Sequence, residues 1–326
     1  MMSILFWLLT SILLGTVSPA HTQQPKKFPR IGFLFIGSKD QPHLESFRQG
    51  LQELGYSEGK NIAIEYRYAE GNPDALPALA AELVGLSVDV ILTTIPQASR
   101  AALKATSTVP IVIIGAGDPV REGLVKSLAR PGANLTGLSS SAGPAIVGKQ
   151  LELLKESVPK ARTIAMLWNP EAGQFASVAI DEAKAAAKAF GLQIRPYEIK
   201  STEDIERAFD GLNKSRADAL LIPGGPVVTR NARRVAERAV TLRLPSMSNS
   251  RQFVEDGGLM AYGVNFADLY LRAATYVDKI LKGRRPAELP VEQPMKFELV
   301  ISLKTAKQIG LTVPPNVLSR ADKVIK

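Results

Sequence analysis

From residue 30 onward, short unbroken apolar runs alternate with longer stretches whose apolar residues recur every three or four positions. Ile31 to Ile36 is the first run, the pattern of a strand buried on both faces. Apolar positions at 44, 47, 51 and 54, followed by Gly55, predict a helix closed by a glycine cap. Ile62, Ile64, Tyr66 and Tyr68 then alternate with Ala63, Glu65 and Arg67, which predicts a half-exposed strand. The same grammar continues with a helix over 73–84, a strand over 88–93, a helix over 98–104 and a strand over 110–114.

The segment GDPVREGLVKSLARPGANLTG, Gly117 to Gly137, carries a helix start and a stop together. Asp118 can cap a helix and Pro119 can occupy its first position, where the missing N–H costs nothing. Leu124, Val125 and Leu128 fall at helical spacing before Pro131-Gly132, so a helix is expected here, followed by a strand over 134–138.

The second half repeats the alternation. Helices are expected over 145–156, 175–190, 203–213 and 228–242, strands over 163–168, 193–199, 219–222, 245–248 and 259–264, and a helical turn near Phe253. Two successive series of this kind imply two α/β lobes with parallel sheets. The end departs from the pattern: a helix over 266–281 precedes a proline-punctuated, strand-rich segment over 288–301, then a helix over 303–309 and a tail.

At 326 residues the chain suits about two domains of ~150 residues each. Met1 to Val17 is an apolar run without charge, shorter than the ~20 residues of a comfortable bilayer crossing. Ser18-Pro19-Ala20 supplies small residues for signal cleavage, so residues 1–20 read as an export signal cut near Ala20. The region before the run lacks Lys and Arg, which leaves an uncleaved anchor as the alternative. With no cysteine there is no disulfide, thiolate metal site, cysteine nucleophile or lipidated N-terminal cysteine, and a soluble periplasmic protein fits best. The net charge of +9 raises nucleic acid or an acidic partner. Arg230, Arg233, Arg234 and Arg238 lie opposite an apolar stripe and read as a solvated helix face, so no nucleic-acid partner is expected.

Enzyme signatures fail in turn. Only His21 and His43 are present, so neither a histidine metal site nor a Ser-His-Asp arrangement is expected, and His43 reads as an exposed first-turn residue. Gly143 to Lys149 has phosphate-loop spacing, but Gln150 stands where Ser or Thr must hold magnesium. No cofactor and no metal are expected. What remains is a set of residues at the C-terminal ends of strands, where open α/β sheets bind ligands. They are Gly37, Ser38, Thr94, Gln97 and Asp118 in the first half, and Ser140, Ser141, Asn169, Gly225 and Asn249 in the second. Amides at the following helix starts can hold a carboxylate for about 0.3–1 kcal/mol each. Asp118 reads either as a helix cap or as a contact for a ligand ammonium. Phe175 can stack on a ligand, and Tyr262 either packs at a hinge or touches ligand.

Four blocks together resemble a known family: Phe47 to Gly71, Gly117 to Gly137, Gln150 to Pro170 and Lys296 to Leu311. The chain is similar to the tryptophan- and tyrosine-type substrate-binding proteins of ABC transporters from Ile31 through at least Gly310. That resemblance implies a type I periplasmic-binding fold, two Rossmann-like lobes with parallel sheets joined by a three-crossover hinge. It implies lobe 1 over 30–138 plus 265–286 and lobe 2 over 139–264 plus 287–326. The crossings would lie near 137–139, 262–265 and 285–290.

It further implies a monomer that captures a small molecule and delivers it to an ABC permease and its ATPase. The loops Gly224-Gly225-Pro226 and Ser248-Asn249-Ser250 carry fewer acidic and amide groups than amino-acid-binding relatives. The expected ligand is therefore a small organic solute bearing a carboxylate or an aromatic ring. A sensor of the same fold for a membrane receptor, or an exported α/β enzyme using Asp118 as a base, are the alternatives.

Overall fold

A computed structural model describes residues 28–41, 43–143, 145–170 and 174–326, the side chains of Gln174 and Phe175 excepted. The expected export segment, residues 1–20, lies outside the described residues. Strands β1 (Arg30–Phe35), β2 (Ala63–Tyr68), β3 (Val90–Thr93), β4 (Ile111–Ile114) and β5 (Leu135–Leu138) form a parallel sheet in the order β2-β1-β3-β4-β5. Helices α1 (Leu44–Glu53), α2 (Leu76–Gly85) and α3 (Pro96–Ala105) connect its strands.

Alternation along each strand decides which helices it meets. Ile31, Phe33, Phe35, Leu92, Val112 and Ile114 pack toward α1 and α10 (Phe266–Leu281), while Leu34, Ile91, Ile111 and Ile113 pack toward α2 and α3. Both faces are covered, which explains the unbroken apolar runs. The late helix α10 thus packs on the first sheet, with Leu269, Tyr270, Ala273, Ala274 and Val277 in the cluster around α1.

The second sheet has seven strands in the order β12-β11-β10-β9-β8-β6-β7. They are β6 (Thr163–Trp168), β7 (Gln193–Glu198), β8 (Ala219–Ile222), β9 (Ser246–Ser248), β10 (Met260–Val264), β11 (Phe297–Ser302) and β12 (Lys323–Ile325). Helices α4 (Ala145–Ser157) and α5 (Gln174–Ala189) cover one face, joined there by α11 (Leu303–Ile309) and α12 (Pro315–Leu318). The other face carries α6 (Thr202–Ser215), α7 (Pro226–Arg230), α8 (Ala232–Thr241) and α9 (Arg251–Glu255). Helix α6 starts at a complete capping box, in which Ser201 Oγ accepts from the Asp204 amide and the Asp204 carboxylate accepts from the Ser201 amide.

Several sequence expectations change. No helix forms after Asp118: one turn is made, with the Glu122 amide donating to the Asp118 carbonyl at 2.9 Å, and then the chain departs. Gly123 stops it, with φ +67°, outside right-handed helix geometry. Leu124 and Val125 are buried all the same, so their spacing reflects burial of a loop. The expected helix over 228–242 is two helices, broken at Asn231, whose Nδ2 donates to the Val227 carbonyl at 2.8 Å.

The second sheet is not purely parallel, because β11 runs antiparallel to β10. The C-terminal tail supplies β12, parallel to β11. Leu289 and Val291 are buried against the first sheet's layers, and Glu292 bridges Leu138. Arg234 and Arg238 pair with Glu206 at 3.4 and 3.2 Å, which gives the arginine face local counter-charges on α6.

Candidate functional site

A cavity of about 310 Å³ opens between the two sheets. Gly117, Asp118, Arg121 and Glu122 supply its wall from the first sheet, beyond the end of β4. Ser140, Ser141, Ile146, Val147 and Gln150 line it from the first crossing and α4, and Pro223 and Asn249 from beyond β8 and β9. Gly263 and Val264 at the end of β10, with Phe266 at the start of α10, form the hinge side. Ligands bind in open α/β sheets at this end of the strands, and the volume sits at the lower end of the usual ~300–1,000 Å³ for small-molecule pockets.

Asp118 acts as a turn cap: Oδ1 accepts the amides of Val120 at 3.1 Å and Arg121 at 3.2 Å. Its other oxygen lies 3.9 Å from the Arg121 guanidinium, and its side chain is 37% exposed. Ser140 locks the first crossing to the end of β4, accepting from the Gly117 amide at 3.0 Å and donating to the Gly115 carbonyl at 2.8 Å. Ser139 Oγ donates to the Gly117 carbonyl at 2.7 Å and accepts from the Ser141 amide at 2.9 Å. The cavity floor is therefore tied to backbone on both sides of the crossing.

Gly263 is dictated by close approach. A Cβ there would stand 1.9 Å from the Asn249 carbonyl oxygen, so any side chain displaces the Asn249 loop. Phe266 presents an aromatic face that stays 37% exposed and stacks on His43 with ring centres 6.0 Å apart. His43 is half-buried rather than exposed, and also meets Tyr270 at 5.6 Å. Burial, reinforced by the positive charge of Arg251, holds its imidazole below the usual histidine value.

Of the residues expected from the sequence, Asp118, Ser140, Ser141 and Asn249 come together around this cavity. Ser38 and Gln97 are exposed and Gly37 and Thr94 half-buried at the ends of β1 and β3, and none of the four lines it. Asn169 is buried, donating from Nδ2 to the Ile199 carbonyl at 2.6 Å, and Gly225 packs against it. Tyr262 stacks on Phe297 at 5.9 Å and lines a separate cavity of about 190 Å³. The Phe175 side chain lies outside the described residues.

Arg121, Glu122, Gln150, Pro223 and Phe266 were not anticipated as lining residues. Among the described residues no group of three or more His, Cys, Asp or Glu side chains could hold a metal, and no helix is long and apolar enough to cross a membrane.

Residues 40–325 match the family model described as ABC transporter substrate binding protein. The chain belongs to that family. A tyrosine-binding protein of Clostridioides difficile (strain R20291) is 26% identical over 276 residues, 83% of this chain and 79% of the relative. A conserved domain protein of Vibrio cholerae superposes with a TM-score of 0.75 at 30% identity, over 91% of this chain and 100% of the other. An ABC domain from Streptococcus pneumonia in complex with L-Trp gives 0.75 at 27% identity, over 91% and 100%. This ABC transporter substrate-binding protein has the type I periplasmic-binding fold, two Rossmann-like lobes with three chain crossings between them.

Proposed function

We propose that this substrate-binding protein captures a free amino acid in the interlobe cavity, in the periplasm, and delivers it to an ABC permease. The observation that carries the reading is the composition of one small cavity. Asp118, Glu122 and Arg121 stand on one wall, while Ile146, Val147, Pro223, Val264 and Phe266 supply apolar surface. An amino acid has the matching parts: an ammonium for Asp118, a carboxylate for Arg121 and a side chain for the apolar wall beside Phe266. The names of the tyrosine-binding and L-Trp-bound relatives support an aromatic side chain.

Capture needs no catalytic group, and we propose that the protein is not an enzyme. Lobe 1 would comprise 30–138 with 265–292, and lobe 2 139–264 with 297–326. A ligand that touches Asp118 on one lobe and Asn249 on the other favours the closed arrangement, because only differential contacts can shift the equilibrium between open and closed forms. Residues 1–20 would direct export with cleavage near Ala20, and the mature protein would act as a monomer.

A thermal-shift screen of the mature protein against the proteinogenic amino acids tests the reading. At one hundred times Kd a ligand adds about 2.7 kcal/mol of stability. No shift with any amino acid refutes the ligand class, and conversion of a stabilising compound refutes the role of a pure binder.

A further inference from the structure

We infer that Gln150 is a specificity-determining residue of the cleft, whose side-chain oxygen accepts a hydrogen bond from the ligand's ammonium group. The inference rests on the amino-acid reading above. Gln150 is fully buried in the middle of α4. Ile146 and Val147, four and three residues before it, line the same cavity, so Gln150 lies on the cavity-facing stripe of the helix.

The two ends of its amide are assigned by chemistry. One end lies 2.8 Å from the Tyr262 carbonyl, which can only accept, so that end is the NH₂ group. The other end is then an oxygen, and among the described residues Oε1 has no donor. A buried amide acceptor without a partner is rare, and each instance calls for an explanation. The cavity that Gln150 lines supplies one: what enters it brings the donor. Asp118 and Glu122 already give the cavity negative groups, and an ammonium has three donors to distribute among acceptors. A carboxylate or hydroxyl-free ring in the ligand would leave Oε1 unsatisfied, so the residue selects for a hydrogen-bond donor, which the ammonium of an amino acid supplies.

The test is a cycle between protein and ligand by isothermal titration. Wild type and Gln150→Met are each titrated with L-tyrosine and L-tryptophan, and with the des-amino analogues 3-(4-hydroxyphenyl)propionate and indole-3-propionate. The expected result is a loss of at least tenfold in affinity for the amino acids, with affinity for the analogues changed less than threefold. Equal losses for both classes overturn the inference and assign Gln150 a packing role. Should Gln150→Met fail to fold, a crystal structure of wild type with L-tyrosine decides: an ammonium nitrogen within 3.2 Å of Oε1 supports the assignment, and one beyond 4 Å overturns it. Where wild type binds neither of these two, the titrations use instead the amino acid that stabilises it in the thermal-shift screen and its des-amino analogue. No binding of any amino acid refutes the amino-acid reading and the inference with it, whereas binding with equal losses refutes the inference alone.

Discussion

Lys296 Nζ lies 2.9 Å from Asp268 Oδ1, which ties the third crossing segment to the first turn of α10. Asp268 is the buried partner, with a side chain 6% exposed, and Arg272 approaches its other oxygen at 3.6 Å while also pairing with Glu292. Glu292 itself bridges to Leu138 at the first crossing. The acidic and basic groups thus bind two of the three crossings to one helix of the first lobe.

Replacing Asp268 with Asn keeps the shape and removes the charge. Lys296 is 68% exposed and regains water, so its share of the loss is small. Arg272 is mostly buried and loses one of its two counter-charges. The expected destabilisation is about 1–3 kcal/mol, measured by urea unfolding at low salt. Unchanged stability would mean that the cluster contributes nothing net to the fold.

Asp118 separates into a cap and a charge by two substitutions. Asp118→Asn retains an oxygen for the Val120 and Arg121 amides, so its stability should stay within about 0.5 kcal/mol of wild type, whereas Asp118→Ala loses about 1 kcal/mol. If the carboxylate holds an ammonium, Asn should weaken amino-acid binding about tenfold or more despite its intact cap. Equal affinity of wild type and Asn in titration calorimetry would leave Asp118 as a cap alone.

His43 gives the fold an acid sensitivity. Its folded value lies below 6.5, through burial and then the charge of Arg251, with Glu255 partly opposing them. The unfolded chain therefore binds more protons as pH falls below 6.5, and stability declines through the folded-state value. Above 6.5 the residue carries no penalty. His43→Gln should flatten the fall in melting temperature between pH 7 and 5, at the cost of the stack on Phe266. Parallel pH profiles for the two proteins would remove His43 from the account.

Much of the architecture was legible because it obeys short periods. Phe33 and Leu34 belong to opposite core clusters, and that period-two alternation under two helical layers produces an unbroken apolar run. The helix expected after Asp118 failed although Leu124, Val125 and Leu128 have the right spacing, because Gly123 just before them takes a left-handed φ. The site was harder to read. Asp118, Ser140, Ser141 and Asn249 could be named from their places after strands, but Gln150 has meaning only beside the Tyr262 carbonyl, 112 residues away. Phe266 likewise reaches the cleft because α10 returns to the first sheet, a pairing set by the tertiary packing of Gly50-bearing α1 against it. Sequence spacing carries no signal for such contacts.

Gly263 and Asn249 provide the sharpest test that the cavity depends on backbone contact between β10 and the β9 loop. Alanine at 263 would place its Cβ 1.9 Å from the Asn249 carbonyl oxygen, a separation that no rotamer change relieves because both atoms belong to, or are fixed by, the backbone. The loop must move outward, carrying Asn249 away from the cavity it lines together with Pro223. Forced overpacking of this kind costs about 1–3 kcal/mol. Gly263→Ala should therefore lower thermal stability and, in protein that remains folded, reduce ligand affinity by more than Asn249→Ala, which removes one side chain and leaves the loop in place. Equal affinities for wild type and Gly263→Ala would show that the Asn249 loop does not contribute to binding.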